Sequence, residues 1–62
     1  MRKLLTETQV AEQLLIKKNT LRKWRLLGKG PAFVKIGSAV RYESDTITSF
    51  INKNIKASTS EV

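Results

Sequence analysis

The chain contains neither cysteine nor histidine, and this combination narrows the ways in which it can fold. Its 62 residues form one domain at most, and a domain of that size buries only about 60% of the surface that its unfolded chain exposes. Small domains often gain stability from disulfides or a metal ion, but this chain has no thiol to oxidise and no imidazole or thiolate to bind zinc. The sequence therefore predicts a fold held by side-chain packing, with no metal and no cofactor.

A cationic amphipathic segment is the strongest functional signal in the sequence. Residues 14–41 contain eight lysines and arginines and no Asp or Glu, and six of the eight lie within residues 17–29. In the same segment Leu21, Trp24 and Leu27 recur at helical spacing, so we expect them to face the core together. A helix with one apolar face and one cationic face suits a polyanion, in keeping with the formal net charge of +7.

Local signals predict two helices in the first half of the chain. Thr6 and Gln9 have the spacing of a capping box, with Thr6 as the N-cap, and predict a helix over residues 7–14. A second helix is predicted over residues 18–27, because Gly28 supplies a left-handed stop directly after it.

Two short strands are predicted over residues 33–36 and 40–42, joined by the three-residue loop 37–39. Directly opposed residues share a face of a hairpin, and the alternation of apolar residues favours a register that sets Lys35 opposite Arg41. Two like charges in this position are unfavourable unless an anion lies near them. The pair is therefore predicted to act as a phosphate clamp.

A third helix is predicted over residues 45–55, with Ser44 as its N-cap. Its apolar stripe comprises Ile47, Phe50, Ile51 and Ile55. Among the aromatic residues of the hairpin, Phe33 is predicted to lie in the core, and Tyr42 to pack inward with its hydroxyl at the surface. The domain is predicted to span residues 2–56, followed by a flexible tail, 57–62.

The order of these elements resembles a known family. The stretches that carry the resemblance are residues 4–6, 10–14, 20–24, 28–37, 40–42 and 44–45. Together they resemble the small winged helix-turn-helix DNA-binding domains of the excisionase type, which are close to the MerR type. The fold that this implies is mainly α with a small β-hairpin: a helix-turn-helix, a two-stranded wing and a third helix.

The chain departs from the family pattern at two positions. Leu15 stands where the family has a glycine, so we expect a less sharp turn or a longer first helix. Lys17 stands where the family begins its second helix with Ser or Thr, and a missing cap costs about 1 kcal/mol. Asn19 or Thr20 could instead cap a later start of that helix.

The resemblance implies sequence-specific binding to double-stranded DNA, with the second helix in the major groove. The residues predicted to read bases are Lys18, Asn19, Arg22 and Lys23. The residues predicted to bind phosphates are Lys17, Thr20, Arg25, Lys35, Ser38 and Arg41. The implied roles are those of an excisionase-like recombination directionality factor or of a small phage or mobile-element transcriptional regulator. Further copies of the chain on adjacent sites, or an integrase, are the implied protein partners.

Other classes of function fit the sequence less well. The carboxylates are scattered and no histidine can act as a base, so no catalytic residues and no enzymatic activity are predicted. The longest aliphatic run is far shorter than the roughly 20 residues of a membrane span, which favours a cytoplasmic, nucleoid-associated protein. The main alternative is a basic protein-interaction module that docks on an acidic partner through the second helix, with Leu26 as an exposed anchor. RNA binding is a third alternative.

Overall fold

Helices and strands follow one another in the order that the sequence predicts, with one additional strand at the start. The computed structural model describes residues 3–56. Its elements are β1 (Leu4–Thr6), α1 (Glu7–Leu14), α2 (Lys18–Leu26), β2 (Val34–Ile36), β3 (Ala39–Glu43) and α3 (Ser44–Lys53). The arrangement is a winged helix-turn-helix, which confirms the predicted fold class. The predicted tail, 57–62, lies outside the described residues, as does residue 2.

The capping box forms as predicted and fixes the start of α1. The amide of Gln9 donates to Oγ1 of Thr6 at 3.1 Å, and the amide of Thr6 donates to Oε1 of Gln9 at 2.8 Å. Each side chain thus satisfies a backbone donor that the first turn of a helix leaves without a partner. The helix begins at Glu7 and ends at Leu14, which are the predicted bounds.

The turn after α1 is sharp, although no glycine is present. Leu15 adopts the left-handed conformation, with φ of 57° and ψ of 43°. Its amide donates to the carbonyl of Glu12 at 3.2 Å, and the amide of Ile16 donates to the carbonyl of Ala11 at 3.0 Å. These two bonds make up a Schellman motif, which satisfies the last carbonyls of the helix. The expectation of a looser turn or a longer helix was therefore wrong, because backbone bonding outweighs the strain at Leu15.

Helix α2 begins at Lys18, as predicted, despite its unfavourable first residues, and ends at Leu26, one residue earlier than predicted. Lys17 is the N-cap, with extended backbone, and its side chain caps none of the described amides. The prediction of a missing cap is confirmed. Asn19 and Thr20 lie inside the helix, so neither caps a later start. At the other end, Gly28 has φ of 72°, which confirms the predicted left-handed stop.

A strand that the sequence did not predict completes the sheet. Within residues 3–56 the sheet has three antiparallel strands in the order β1-β3-β2. Leu5 lies opposite Tyr42 and Thr6 lies opposite Arg41. Strand β1 covers only three residues and runs directly into α1, so its short apolar pattern gave no strand signal of its own. The wing is consequently not an isolated hairpin but two strands of a larger sheet.

The register of the hairpin differs by one residue from the prediction. Lys35 lies opposite Val40, and Arg41 lies opposite Val34. The loop holds two residues, Gly37 and Ser38, with φ of 61° at the glycine. A glycine with positive φ at the first position is typical of the tight type II′ turn, which suits the twist of a hairpin. The three-residue loop and the Lys35–Arg41 pair were therefore wrong.

Helix α3 begins one residue earlier than predicted. The amide of Ser44 donates to the carbonyl of Lys3 at 2.8 Å, so Ser44 is the first helical residue and Glu43 occupies the N-cap position. The residue that precedes β1 thus satisfies the first amide of α3, and no side chain caps the helix among the described residues. The helix ends at Lys53, and Ile55, predicted to be buried, lies exposed beyond it.

The core forms where α1, α2 and α3 pack on the inner face of the sheet. Its buried residues are Val10, Ala11, Leu21, Tyr42 and Ile47. Tyr42 is only 1% exposed, so the prediction of a hydroxyl at the surface was wrong. Leu27 and Phe33, both predicted to be buried, are exposed. No helix within residues 3–56 has the length and apolar character needed to cross a membrane.

Trp24 packs against the core, as predicted, and joins α2 to α3 through a contact between two aromatic rings. Its ring lies 6.0 Å from that of Phe50, centroid to centroid, at an interplanar angle of 51°. The chain passes close to the indole at Gly30, where φ is 76°. A Cβ at this position would lie 2.9 Å from Cε3 of Trp24, so the close approach requires glycine.

Candidate functional site

Helix α2 presents a mainly polar face away from the core, with the exposed Leu26 at its C-terminal end. Leu21 is buried on one side of the helix. Four residues on the other side are exposed: Lys18, Asn19, Arg22 and Lys23. These are the residues predicted to read bases, and the structure places all four on one helix of nine residues. Three of the four carry a positive charge, so this face attracts anions.

An acidic residue from another helix partly neutralises that face. Glu7, the first residue of α1, accepts a hydrogen bond through Oε1 from Nε of Arg22 at 2.9 Å. Its Oε2 lies 3.8 Å from Nη2 of Arg25. Glu7 lies outside residues 14–41, the acid-free stretch that contains both arginines, so sequence spacing gives no sign of this pairing. Fifteen residues separate Glu7 from Arg22, and only the packing of α1 on α2 brings them together.

Arg25 is held in a more enclosed position than Arg22. Its side chain is 20% exposed, compared with 51% for Arg22. The guanidinium carbon lies 5.6 Å from the centre of the Phe33 ring, a cation–π distance. Nε of Arg25 and Oε2 of Glu7 are buried, and neither has a hydrogen-bond partner among residues 3–56. Arg25 was predicted to bind phosphate, and the structure places it behind Arg22, against the hairpin.

An open groove separates α2 from the tip of the hairpin. It lies where β1 turns into α1, which leaves the first residues of β3 uncovered on that side. The polar residues that line it are Thr6, Glu7, Thr8, Arg22, Arg25, Ser38 and Arg41. Three arginines therefore line the groove together with one carboxylate, which contacts Arg22 and Arg25. The groove joins one predicted base-reading residue to three predicted phosphate-binding residues, and sequence spacing alone gave no sign of it.

The two cations of the hairpin lie on opposite faces of the sheet. Lys35 shares a face with Val40, its direct partner, whereas Arg41 shares the other face with Val34. Nη1 of Arg41 donates to the carbonyl of Val40 at 2.8 Å, which draws the guanidinium back along the strand. The structure thus brings Arg41 to the groove with α2 and does not bring Lys35 there.

The first turn of α2 carries the remaining predicted contacts. Lys17 and Lys18 are exposed, and Thr20 is half-buried. The amides of a first helical turn point outward and favour a negative charge. Two lysines beside these amides raise the local positive potential further. This end of the helix can therefore accept an anionic oxygen more readily than its centre.

Tyr42 connects the core to this charged cluster. Burial raises the pKa of its hydroxyl above the ordinary value of 10.0. The positive charge of Arg25 acts in the opposite direction and lowers the pKa, and the negative charge of Glu7 raises it. The hydroxyl therefore remains protonated at neutral pH. As for metals, residues 3–56 contain no group of three or more acidic, His or Cys side chains that could hold an ion.

Comparison with known proteins identifies one match, which covers most of the chain. A family model described as a helix-turn-helix domain matches residues 4–55. Neither a search of curated proteins nor a search of solved structures found a match. The matched range includes all three helices and the sheet, so the family assignment and the geometry concern the same residues.

Proposed function

This chain belongs to the helix-turn-helix domain family, and on that basis we propose that it binds double-stranded DNA in a sequence-specific manner. The observation that carries the proposal is the exposed polar face of α2, which lies beside the arginine-lined groove at the hairpin. An α-helix fits the major groove of B-form DNA, where each base pair presents a distinct pattern of donors and acceptors. The excess of positive charge supplies the attraction to phosphates.

The side chains divide into two groups by their chemistry and position. In the major groove, arginine or lysine can donate to guanine, and asparagine can pair with adenine. The proposed base-reading residues are Lys18, Asn19, Arg22 and Lys23. The proposed phosphate-binding residues are Lys17, Thr20, Arg25, Lys35, Ser38 and Arg41. Because Lys35 and Arg41 lie on opposite faces of the sheet, they would contact separate phosphates and not clamp one between them.

The biological role that we propose is that of an excisionase-like directionality factor or a small transcriptional regulator. A domain of this size contacts few base pairs, so useful specificity requires several copies side by side or a larger DNA-bound partner. An integrase would be such a partner in recombination. The stoichiometry of the complex on a selected binding site is the measurement that separates a single-copy regulator from a cooperative assembly.

Two substitutions test the division into readers and phosphate contacts. A binding site is first selected from random duplexes, and affinities are then measured by fluorescence anisotropy. Arg22→Ala should weaken the selected site by about 1–3 kcal/mol and relax base preference there, whereas Lys35→Ala should weaken all duplexes alike. Lys53→Ala, which removes a charge from α3, is the control.

The salt dependence of binding provides a second criterion. If about five phosphates are neutralised, the slope of log K against log salt should be near −4 to −5. Identical behaviour of the Arg22 and Lys35 variants would refute the division. The absence of binding to any duplex at about 50 mM salt would refute the function itself.

A protein-interaction module is a second candidate, favoured by the apolar surface at the end of α2. Leu26 is 81% exposed, and its neighbour Leu27 is exposed as well, although they adjoin a cationic face. Such a surface could dock on an acidic protein, with the leucines as anchors. Excess nonspecific duplex should displace the chain from DNA and leave a protein complex intact if the two surfaces differ. Leu26→Ser should weaken the protein complex strongly and should lower DNA affinity much less than Arg22→Ala does, because it removes an apolar anchor and no charge.

A further inference from the structure

The contact between Glu7 and Arg22 is unfavourable for binding a polyanion but favourable for orienting a side chain. Glu7 places a negative charge inside the groove, where it repels phosphates and lowers overall affinity for nucleic acid. Its side chain is only 16% exposed, so the carboxylate is held by its surroundings and does not swing freely in solvent. A residue that lowers affinity and is nevertheless fixed at the site calls for a different role from phosphate binding.

The geometry of the hydrogen bond shows what that role can be. The bond uses Nε of Arg22, the nitrogen nearest the backbone. A guanidinium is planar and carries five donors in a fixed arrangement. When Nε is held, the plane of the group is set, and the two terminal nitrogens remain available. The side chain of Arg22 is 51% exposed, so these nitrogens can reach a partner with two adjacent acceptors, such as O6 and N7 of guanine.

Arg25 provides an internal comparison on the same helix. It lies against the same carboxylate, but at 3.8 Å, which is too long for a hydrogen bond. Its guanidinium packs over Phe33, and its side chain is mostly covered. One carboxylate thus holds two arginines differently: it bonds and orients the exposed one, and it balances the charge of the enclosed one.

We propose that Glu7 is a positioning residue for base recognition, which orients Arg22 towards a guanine and raises specificity at the expense of affinity. The proposal rests on the DNA binding proposed above. An arginine that is already ordered before binding loses less conformational entropy when it meets the correct base. Because the same carboxylate repels every phosphate, its removal should change affinity and discrimination in opposite directions.

Three variants of equal charge separate positioning from electrostatics. Glu7→Ala removes both the charge and the acceptor. Glu7→Gln removes the charge but keeps an oxygen that can accept from Nε of Arg22. Glu12→Ala removes the charge of an exposed acid on the same helix. Each variant is tested against the duplex selected by the wild-type chain and against a shuffled duplex of the same composition. The measurements are made well below the melting temperature of the variant protein.

The decisive quantity is the ratio of the two affinities. In Glu7→Ala the affinity for the shuffled duplex should rise, and the ratio should fall by about 3- to 10-fold, the cost of ordering one long side chain. Glu7→Gln should raise shuffled-duplex affinity similarly but retain part of the ratio. Glu12→Ala should leave the ratio unchanged. In the free protein, the Nε–H signal of Arg22 should exchange slowly with water and lose this protection in Glu7→Ala.

The outcomes distinguish failure of this inference from failure of the proposed function. If the wild-type chain binds no duplex, the proposed function is wrong, and the role of Glu7 is overturned with it. If the wild-type chain discriminates but Glu7→Ala keeps the same ratio as Glu12→Ala, DNA binding stands and the positioning role is overturned. An unprotected Nε–H of Arg22 in the wild-type chain would also overturn it.

Discussion

Replacement of Leu15 by glycine should stabilise the protein, although it removes a large apolar side chain. Leu15 has φ of 57°, a conformation that costs an L-residue about 1–2 kcal/mol. The side chain is 90% exposed, so the loss of its contacts amounts to about 0.2 kcal/mol, a tenth of the value of a fully buried leucine. Glycine also increases the entropy of the unfolded chain, which lowers the stability of the folded state by about 0.4–1 kcal/mol. The net gain should be about 0.5 kcal/mol.

The sharper measurement compares glycine with alanine at two exposed leucines. At position 15 alanine keeps a Cβ and therefore the strain, so glycine should be the more stable by roughly 0.5–1 kcal/mol. At position 26 the residue is also exposed but lies within α2. There, at the last residue of the helix, alanine should still be the more stable, by about 0.5 kcal/mol. The preference should change sign between the two sites.

Urea unfolding of the four variants tests this reasoning. It can be followed by far-UV circular dichroism and by the fluorescence of Trp24, the single tryptophan of the chain. One kcal/mol corresponds to a melting temperature shift of about 4–8 °C in a domain of this size, so thermal scans give an independent value. If alanine is as stable as glycine at position 15, the turn is not strained in the way that the backbone angles indicate.

Two further predictions concern stability. Gly30→Ala should cost about 1–3 kcal/mol more than Gly37→Ala in the free energy of unfolding, measured in urea. Both glycines have positive φ, so both substitutions strain the backbone. Only at Gly30 would the new Cβ also lie 2.9 Å from Trp24, whereas a Cβ at Gly37 would have none of the described heavy atoms within 4 Å beyond its chain neighbours. The raised pKa of Tyr42 means that the folded state favours the protonated hydroxyl, so its contribution to stability is complete below about pH 10 and is lost as pH rises through the folded pKa. Tyr42→Phe should therefore lose less stability than the wild-type chain above about pH 10, and tyrosinate absorbance should show a late titration in the wild type.

Much of the fold was predictable because its determinants are local. The capping box of Thr6 and Gln9 gave the bounds of α1, since its donors and acceptors lie three residues apart. Gly28 marked the end of α2 to within one residue, because a glycine readily adopts the left-handed conformation that follows a helix. Leu15 shows the limit of local reasoning: its own preference opposes a left-handed turn, and two backbone hydrogen bonds from the neighbouring turn decide the outcome.

The hairpin register could not be obtained from apolar alternation alone. The prediction assumed that Val34 and Ile36 face inward with Tyr42, but both are exposed, because they pair with Arg41 and Ala39 on the opposite face of the sheet. A signal for the observed register was present in the Gly37-Ser38 dipeptide, which is typical of a two-residue II′ turn. In a hairpin with a three-residue strand, the turn residues are a better guide to the register than the alternation of apolar side chains.

In the candidate site, too, local features could be predicted from the sequence and long-range contacts could not. The exposed face of α2 followed from helical periodicity, with Lys18, Asn19, Arg22 and Lys23 outward. The pairing of Arg22 with an acid of α1 did not follow, because it depends on how two helices cross and not on spacing within either of them. Long-range charge pairs are the part of such a surface that requires coordinates.

Thr6 belongs to two elements at once, as the last residue of β1 and the N-cap of α1. Since β1 is bonded to the central strand, backbone hydrogen bonds hold the start of the first helix to the hairpin. On the proposed function, the distance from α2, which would read the bases, to the hairpin tip is the same for every duplex. A duplex whose groove spacing does not match this distance must bend or twist to bind, which favours sequences that deform at little cost.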